Sequence, residues 1–273
     1  MRSDTADGGP RIRVAAWQSR LQGYDPQVHA EVMRRCADQA VDLLVLPECY
    51  LGGMPKRDQD PHAQAVSPPY RTLIDACGDN RWPMTVVAGF VEVTNAGILH
   101  SSAAVIRAGR VDGVARKLYP IEPAFTAGDT LSTYPVAATR FGVVICHDGN
   151  FIEPARLLAQ AGARLLACPL NNDLRRDVAA GWTTRTRSNL IARAVENDCW
   201  VIAADVCGQT PARVGLGASA IIRPDGGVIA QADPEREHLL VADVDIAAQS
   251  LLSRWDIRRN PAVFELWARA QKQ

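Results

Sequence analysis

Apolar positions along the chain repeat with two periods, and the alternation between them sets the architecture. Residues 11–17 (RIRVAAW) and 41–47 (VDLLVLP) predict strands, while residues 26–40 between them carry helical spacing. That strand, helix, strand order marks an α/β chain. Between residues 84 and 117 three strand-like segments follow, MTVVAGFVEV, ILHSSAAVIR and RVDGVARK, with Gly97, Gly109 and Gly113 at the turns. Their connections are too short for crossover helices, which predicts antiparallel neighbours. Residues 141–146 (FGVVIC) and 164–168 predict further strands around a helix over 151–162. A long helix is expected over 182–197, with Leu190, Ile191, Ala194 and Val195 on one apolar stripe and Arg187, Arg193 and Glu196 elsewhere on the circumference. Strands at 200–206 (WVIAADV), 218–223 and 239–243 complete the set, with a turn at Pro224-Asp225-Gly226-Gly227. About ten strands interleaved with helices predict two sheets sandwiched by helices.

No linker and no fixed-period repeat interrupts this pattern, so residues 11–252 are read as one domain behind a flexible N-terminal segment, 1–10. The tail, 253–273, carries Val263, Phe264, Leu266 and Trp267, and is expected to dock on a partner subunit. The chain has 273 residues, 30 basic against 30 acidic, and zero formal net charge. That balance removes the attraction that nucleic acid or an anionic membrane would need. No apolar run reaches a membrane span, and the polar opening MRSDTADGGP lacks the stretch of a secretory signal; a cytoplasmic protein is expected. Seven cysteines without Cys-x-x-Cys spacing and five histidines without i, i+4 pairing predict neither a disulfide framework nor a metal site. Gly215-Leu216-Gly217 leads into ASAIIR, a strand pattern, and reads as a turn and not a phosphate loop.

Chemistry in α/β sheets collects just past the carboxyl ends of strands. Glu48 follows VDLLVLP, Lys117 ends RVDGVARK, Cys146 ends FGVVIC and Cys168 ends RLLAC. A carboxylate closing an apolar run needs a partner or a function. Cys146 differs from the other cysteines because Asp148-Gly149-Asn150 can turn the chain into the next helix, where backbone N–H groups and the helix dipole favour a thiolate. His147 is a poor base for it, since neighbours in an extended chain face opposite ways.

Leu46-Pro47-Glu48, Arg116-Lys117 with Glu122 and Phe125, and Ile145-Cys146-His147-Asp148-Gly149-Asn150-Phe151 with Glu153 resemble, in order, the three catalytic blocks of the carbon-nitrogen hydrolase (nitrilase) superfamily. Residues 192–197 (ARAVEN) and the stretch from Gly217-Ala218-Ser219 to Pro224-Asp225-Gly226 are similar to its later blocks, so the resemblance spans 11–245. It implies a four-layer α-β-β-α sandwich and a Glu-Lys-Cys triad carried by Glu48, Lys117 and Cys146, with Glu122 at the position of an additional glutamate. Cys-His-Asp-Gly-Asn resembles the amidase branch, short-chain amidases in particular, whereas true nitrilases tend to show Cys-Trp-Glu. His147 stands where Tyr is commoner, and Ile152 where Pro is usual. The implied activity is hydrolysis of a non-peptide C–N bond in a small linear amide or N-carbamoyl compound, through a cysteine thioester and without a cofactor. Nitrile hydrolysis and acyl transfer use the same thioester and stay open; an inactive binding protein is disfavoured. The expected substrate-binding residues are His147, Asn171, Asn172, Arg175, Arg176 and Trp182, with the two arginines, in the loop PLNNDLRRD, suited to an anionic group on the substrate. A homodimer or larger assembly is expected.

Overall fold

The structure, a computed structural model, describes residues 10–21, 23–55, 59–77, 82–247 and 262–270. Its first part runs β1 (Arg11–Arg20), α1 (Pro26–Asp38), β2 (Leu43–Val45), α2 (Arg71–Cys77), β3 (Thr85–Val93), β4 (Leu99–Arg107), β5 (Arg110–Arg116), β6 (Thr133–Val136) and β7 (Thr139–Val143). Then come α3 (Ile152–Gln160), β8 (Leu165–Pro169), β9 (Asp173–Arg175), α4 (Arg176–Asn197), β10 (Trp200–Ala204), β11 (Val206–Gln209), β12 (Arg213–Leu216), β13 (Ala220–Ile222), β14 (Val228–Gln231), β15 (His238–Asp245) and α5 (Ala262–Ala270).

Among the described residues the strands form a nine-stranded sheet, ordered β5-β4-β3-β2-β1-β11-β12-β9 with β15 also paired to β1, and a six-stranded sheet, β14-β13-β10-β8-β7-β6. Val14, Leu43, Val87 and Val105 of the larger sheet meet Phe141, Leu165 and Ile202 of the smaller in one core. Val32, Met33 and Cys36 of α1 and Leu73 of α2 cover the outer face of the larger sheet. Leu158 of α3 and Leu190 and Ala194 of α4 cover the smaller. The α-β-β-α sandwich implied by the sequence is therefore present, and β1, buried over most of its length, reads as the apolar run of a central strand. The segments from 84 to 117 form the expected antiparallel β3-β4-β5 meander.

Three sequence readings change. Helix α4 begins at Arg176 and not near Trp182, directly after the short strand β9, so a polar first turn precedes the apolar stripe. Arg193, expected on the polar circumference, is buried; its Nε donates to the Gly149 carbonyl at 3.1 Å and its Nη1 to Glu196. The stretch 200–206 is two strands in different sheets, divided at Asp205. The chain crosses between sheets there, again at 170–172 and again at 217–219, and Asp205 binds all three crossings. Its carboxylate accepts from the Asn172 N–H at 2.9 Å, the Asn172 amide at 3.0 Å and the Ala218 N–H at 2.9 Å, while its own N–H donates to Ser219 Oγ at 2.8 Å.

Of the N-terminal segment only Pro10 is described, and 248–261 also lies outside the described residues, as do the side chains of Phe264 and Trp267. On α5, Val263 and Leu266 are exposed. No helix among the described residues is long and apolar enough to cross a membrane.

Two contacts fix the loops on which the strand-end side chains ride. Gly89 on β3 lies under the Pro47–Cys49 turn so closely that a Cβ there would sit 2.2 Å from the Pro47 carbonyl oxygen and 2.6 Å from the Glu48 Cα. Backbone cannot yield as a flexible side chain can. Gly89→Ala is therefore expected to lower stability in urea denaturation by about 1–3 kcal/mol, the usual cost of overpacking, and to displace Glu48. The second contact joins the turn after Cys146 to the segment after Lys117: the Asp148 carboxylate accepts the Tyr119 N–H at 2.8 Å and the Leu118 N–H at 3.1 Å. Burial pushes this carboxyl up to about 6 from 3.8, although the two N–H groups and Lys117 oppose the rise. Between those values the folded chain holds a proton that the unfolded chain releases, so stability is full below the lower value and falls as pH rises through the upper. Relative to Asp148→Asn, the native protein is expected to lose about 1.4 kcal/mol per pH unit across that window in urea denaturation.

Candidate active site

A cavity of about 570 Å³ opens where strands of both sheets end, and four loops deliver Glu48, Lys117, Cys146 and Asn171 to it. Glu48 follows β2, Lys117 follows β5, Cys146 follows β7 and Asn171 follows β8. Two of these loops take left-handed backbone at non-glycine residues, with φ +50 at Cys49 and +43 at Cys146. Such conformations cost about 1–3 kcal/mol each and persist where surrounding structure holds them. At Cys146 the sharp turn opens a short 3-10 helix, Cys146–Asn150, that leads into α3.

Glu48 and Lys117 are each 1% exposed, and the Lys117 ammonium donates to Glu48 Oε1 at 2.8 Å. Ser101 Oγ donates to the same oxygen at 2.8 Å, and Glu122 Oε2 lies 3.6 Å from the ammonium. Burial works to lower the Lys117 pKa, but Glu48, Cys146 and Glu122 outweigh it and hold the ammonium above its ordinary value. Cys146 is pushed well above the ordinary thiol value, first by burial and then by the Glu48 carboxylate, against the pull of Lys117 and of the Asn171 N–H directed at its sulfur. Burial and the Glu48 carboxylate thus work against the thiolate that the helix-dipole expectation favours.

The sequence-derived candidates divide cleanly. Glu48, Lys117, Cys146, Glu122, His147, Asn171, Asn172 and Trp182 all line the one cavity. His147 faces away from base chemistry through one nitrogen, because its Nδ1 lies 2.9 Å from the Tyr119 carbonyl and must donate to it. Asn171 donates its side-chain amide to the Glu48 carbonyl at 3.2 Å, and Asn172 is held by Asp205. Arg175 and Arg176 are not among the lining residues. Arg175 pairs with Asp177 at 2.7 Å, and Arg176 donates to the Thr210 carbonyl at 2.7 Å and to the Gln209 side chain at 3.1 Å. The arginine that reaches the cavity is Arg213 of β12, paired with Asp173 at 2.9 Å. Sequence reasoning missed Arg213, Ser101 and Asp205. For the last two a signal existed, a polar residue inside an apolar run, the same one that marked Glu48.

The sequence profile of the family described as carbon-nitrogen hydrolase matches residues 14–251. An (R)-stereoselective amidase of Pseudomonas sp. is 31% identical over 216 residues, covering 75% of this chain and 74% of that protein. Omega-amidase NIT2 of Homo sapiens is 27% identical over 237 residues, covering 78% and 80%. In fold, the chain is similar to a variant of the amidase from Nesterenkonia sp. AN1 that carries the acetamide moiety of fluoroacetamide on its active-site cysteine. That likeness has a TM-score of 0.75 and 23% identity over 94% of this chain and 97% of the other. With the profile covering most of its length, the chain belongs to the carbon-nitrogen hydrolase family and is an enzyme of that type.

Proposed function

We propose that the protein hydrolyses the C–N bond of a small amide or N-carbamoyl compound through a thioester on Cys146. The observation that carries this is the buried Lys117–Glu48 pair, with Ser101 fixing the carboxylate, in one cavity with Cys146, a partly exposed residue on a left-handed turn. The amidase named among the relatives and the covalent cysteine adduct in the structural neighbour support the same chemistry.

Each group has one task. Glu48 takes the Cys146 proton as the sulfur attacks the amide carbon; the C–S bond forms while the carbonyl π pair moves to oxygen. Lys117 and the His147 N–H stabilise that oxyanion. Glu48 then passes its proton to the departing ammonia or amine, the C–N bond breaks, and a thioester remains. Water, deprotonated by Glu48, attacks the thioester, and the sulfur leaves with the proton. Glu122, beside the ammonium, orients Lys117 or holds the substrate amide. The expected pairing of copies belongs to the same proposal, supported by the exposed Val263 and Leu266 of α5.

Cys146→Ala is expected to fold and to be inactive. Lys117→Ala is expected to lose about a hundredfold to a thousandfold in kcat, the usual cost of one oxyanion partner. Glu48→Gln is expected to be severely impaired, because an amide cannot shuttle the proton. Ammonia release from a panel of amides, N-carbamoyl compounds and nitriles reads these rates, and mass spectrometry of enzyme quenched during turnover is expected to find the acyl adduct on the Cys146 peptide. An adduct on Cys49 or Cys168, or turnover of nitriles alone, overturns the assignment.

A further inference from the structure

The cavity is large and short of free cations, and both properties bear on what enters it. At about 570 Å³ it has room for about nineteen waters at ~30 Å³ each, several times what butyramide displaces. Beyond the reacting groups its walls are mainly apolar. Trp182, Thr186, Asn189 and Leu190 present one helical stripe of α4 to it, at spacing that places them on a common face. The Arg185 guanidinium stacks 4.5 Å over the Trp182 ring and so fixes the orientation of this half-buried wall. Leu21, Tyr50 and Met54 line the cavity from other loops.

Charge works in the same direction. The lining carboxylates are Glu48, Glu122 and Asp173, against the cations Lys117 and Arg213. Both cations are already paired: Lys117 with Glu48 at 2.8 Å, and Arg213 through Nε to Asp173 Oδ1 at 2.9 Å and through Nη2 to the Asp173 carbonyl. Asp148 and Asp205 stand buried behind the wall and add no cation. A carboxylate entering here meets three lining carboxylates against two lining cations that are both paired, loses its own hydration, and finds the nearby Arg185 outside the lining and engaged on the Trp182 ring.

We propose that the substrate is a neutral amide whose acyl arm is bulky and mainly apolar, laid against Trp182 and Leu190 of α4 and the facing Leu21, Tyr50 and Met54, and that amides bearing a carboxylate are discriminated against. This rests on the amide-hydrolase reading and narrows it away from both short-chain and anionic amides.

The test ranks 3-phenylpropionamide, butyramide and succinamate by kcat/KM in the native enzyme and by calorimetric affinity for Cys146→Ala, which reads binding without turnover. The expected order places 3-phenylpropionamide about tenfold or more ahead of butyramide, as added apolar contact in a pocket supplies, with succinamate last. Trp182→Ala is expected to raise KM for 3-phenylpropionamide about tenfold. Butyramide equal to the aromatic amide, succinamate ahead of either, no measurable binding of 3-phenylpropionamide, or an unchanged KM in Trp182→Ala overturns the inference. If no amide is turned over while Cys146→Ala still ranks the ligands in the expected order, the hydrolase reading falls and the binding preference stands. If all three are hydrolysed with succinamate first, the reverse holds.

Discussion

An ammonium and a carboxylate with almost no access to water set the terms for everything around them. Removing two such charges from solvent costs several kcal/mol per ion, and their attraction offsets this only when geometry and further hydrogen bonds are good. Here Glu48 has a second donor in Ser101, and Lys117 has a second carboxylate in Glu122. The backbone is enlisted as well: the Glu48 N–H donates to the Leu170 carbonyl at 3.1 Å and the Lys117 N–H to the Ser101 carbonyl at 2.9 Å. The approach of the Pro47–Cys49 turn to β3 is close enough that only glycine fits at position 89. A pair this dependent on its surroundings is rigid as a consequence, and a rigid pair is what a charge-stabilising site needs.

The strands that hold this pair hold a second one on their other face. Successive residues of a strand point to opposite sides of the sheet, so Ser101 and Ser102, and Lys117 and Arg116, are divided between the two. Ser101 and Lys117 bind Glu48 on the side facing the smaller sheet. Ser102 Oγ and Arg116 Nε each donate to Glu92 Oε2 at 2.8 Å on the side facing the helices, and Tyr70 OH donates to Glu92 Oε1 at 2.8 Å. Burial works to raise the Glu92 pKa, but Arg116, Ser102 and Tyr70 outweigh it and hold the carboxylate below its ordinary value. Two buried carboxylates thus clamp the same ends of β4 and β5 from above and below. A slip of one residue in that register would exchange the two sets and break both.

Legibility in the sequence followed how local the cause was. The strand and helix order, the antiparallel meander and the strand-end positions of Glu48, Lys117 and Cys146 rest on neighbours within a few residues, and pattern shows these. The division of 200–206 at Asp205 rests on Asn172 and Ala218, far apart in sequence, and an apolar run containing one aspartate looks the same whether or not the chain changes sheets there. Arg175 and Arg176 lie away from the cavity for a similar reason. The segment expected as a loop ends in strand β9 and the start of α4, and β9 pairs with β12, which brings Arg213 to the cavity while Arg175 and Arg176 lie outside its lining. Local sequence gives a side chain its loop; pairing across the sheet gives it a direction.

What distinguishes one thiol among seven is then a matter of access and company, not acidity. Burial raises Cys36, Cys77, Cys168 and Cys199 to about 12 and Cys207 to about 11, and Cys49 and Cys146 well above the ordinary value. By thiolate content alone none would be chosen. Cys146 is the one that is partly exposed, the others being buried, and in the proposed reaction its proton goes to the Glu48 carboxylate and the developing charge faces the Lys117 ammonium. Cys49 shows how much this matters. It sits next to Glu48 on a left-handed turn and borders the same cavity, yet it is fully buried and its sulfur is 3.9 Å from Ser101 Oγ. In the proposed reaction, a site organised in this way generates its nucleophile only as the proton moves, when a carbonyl is present to receive the sulfur.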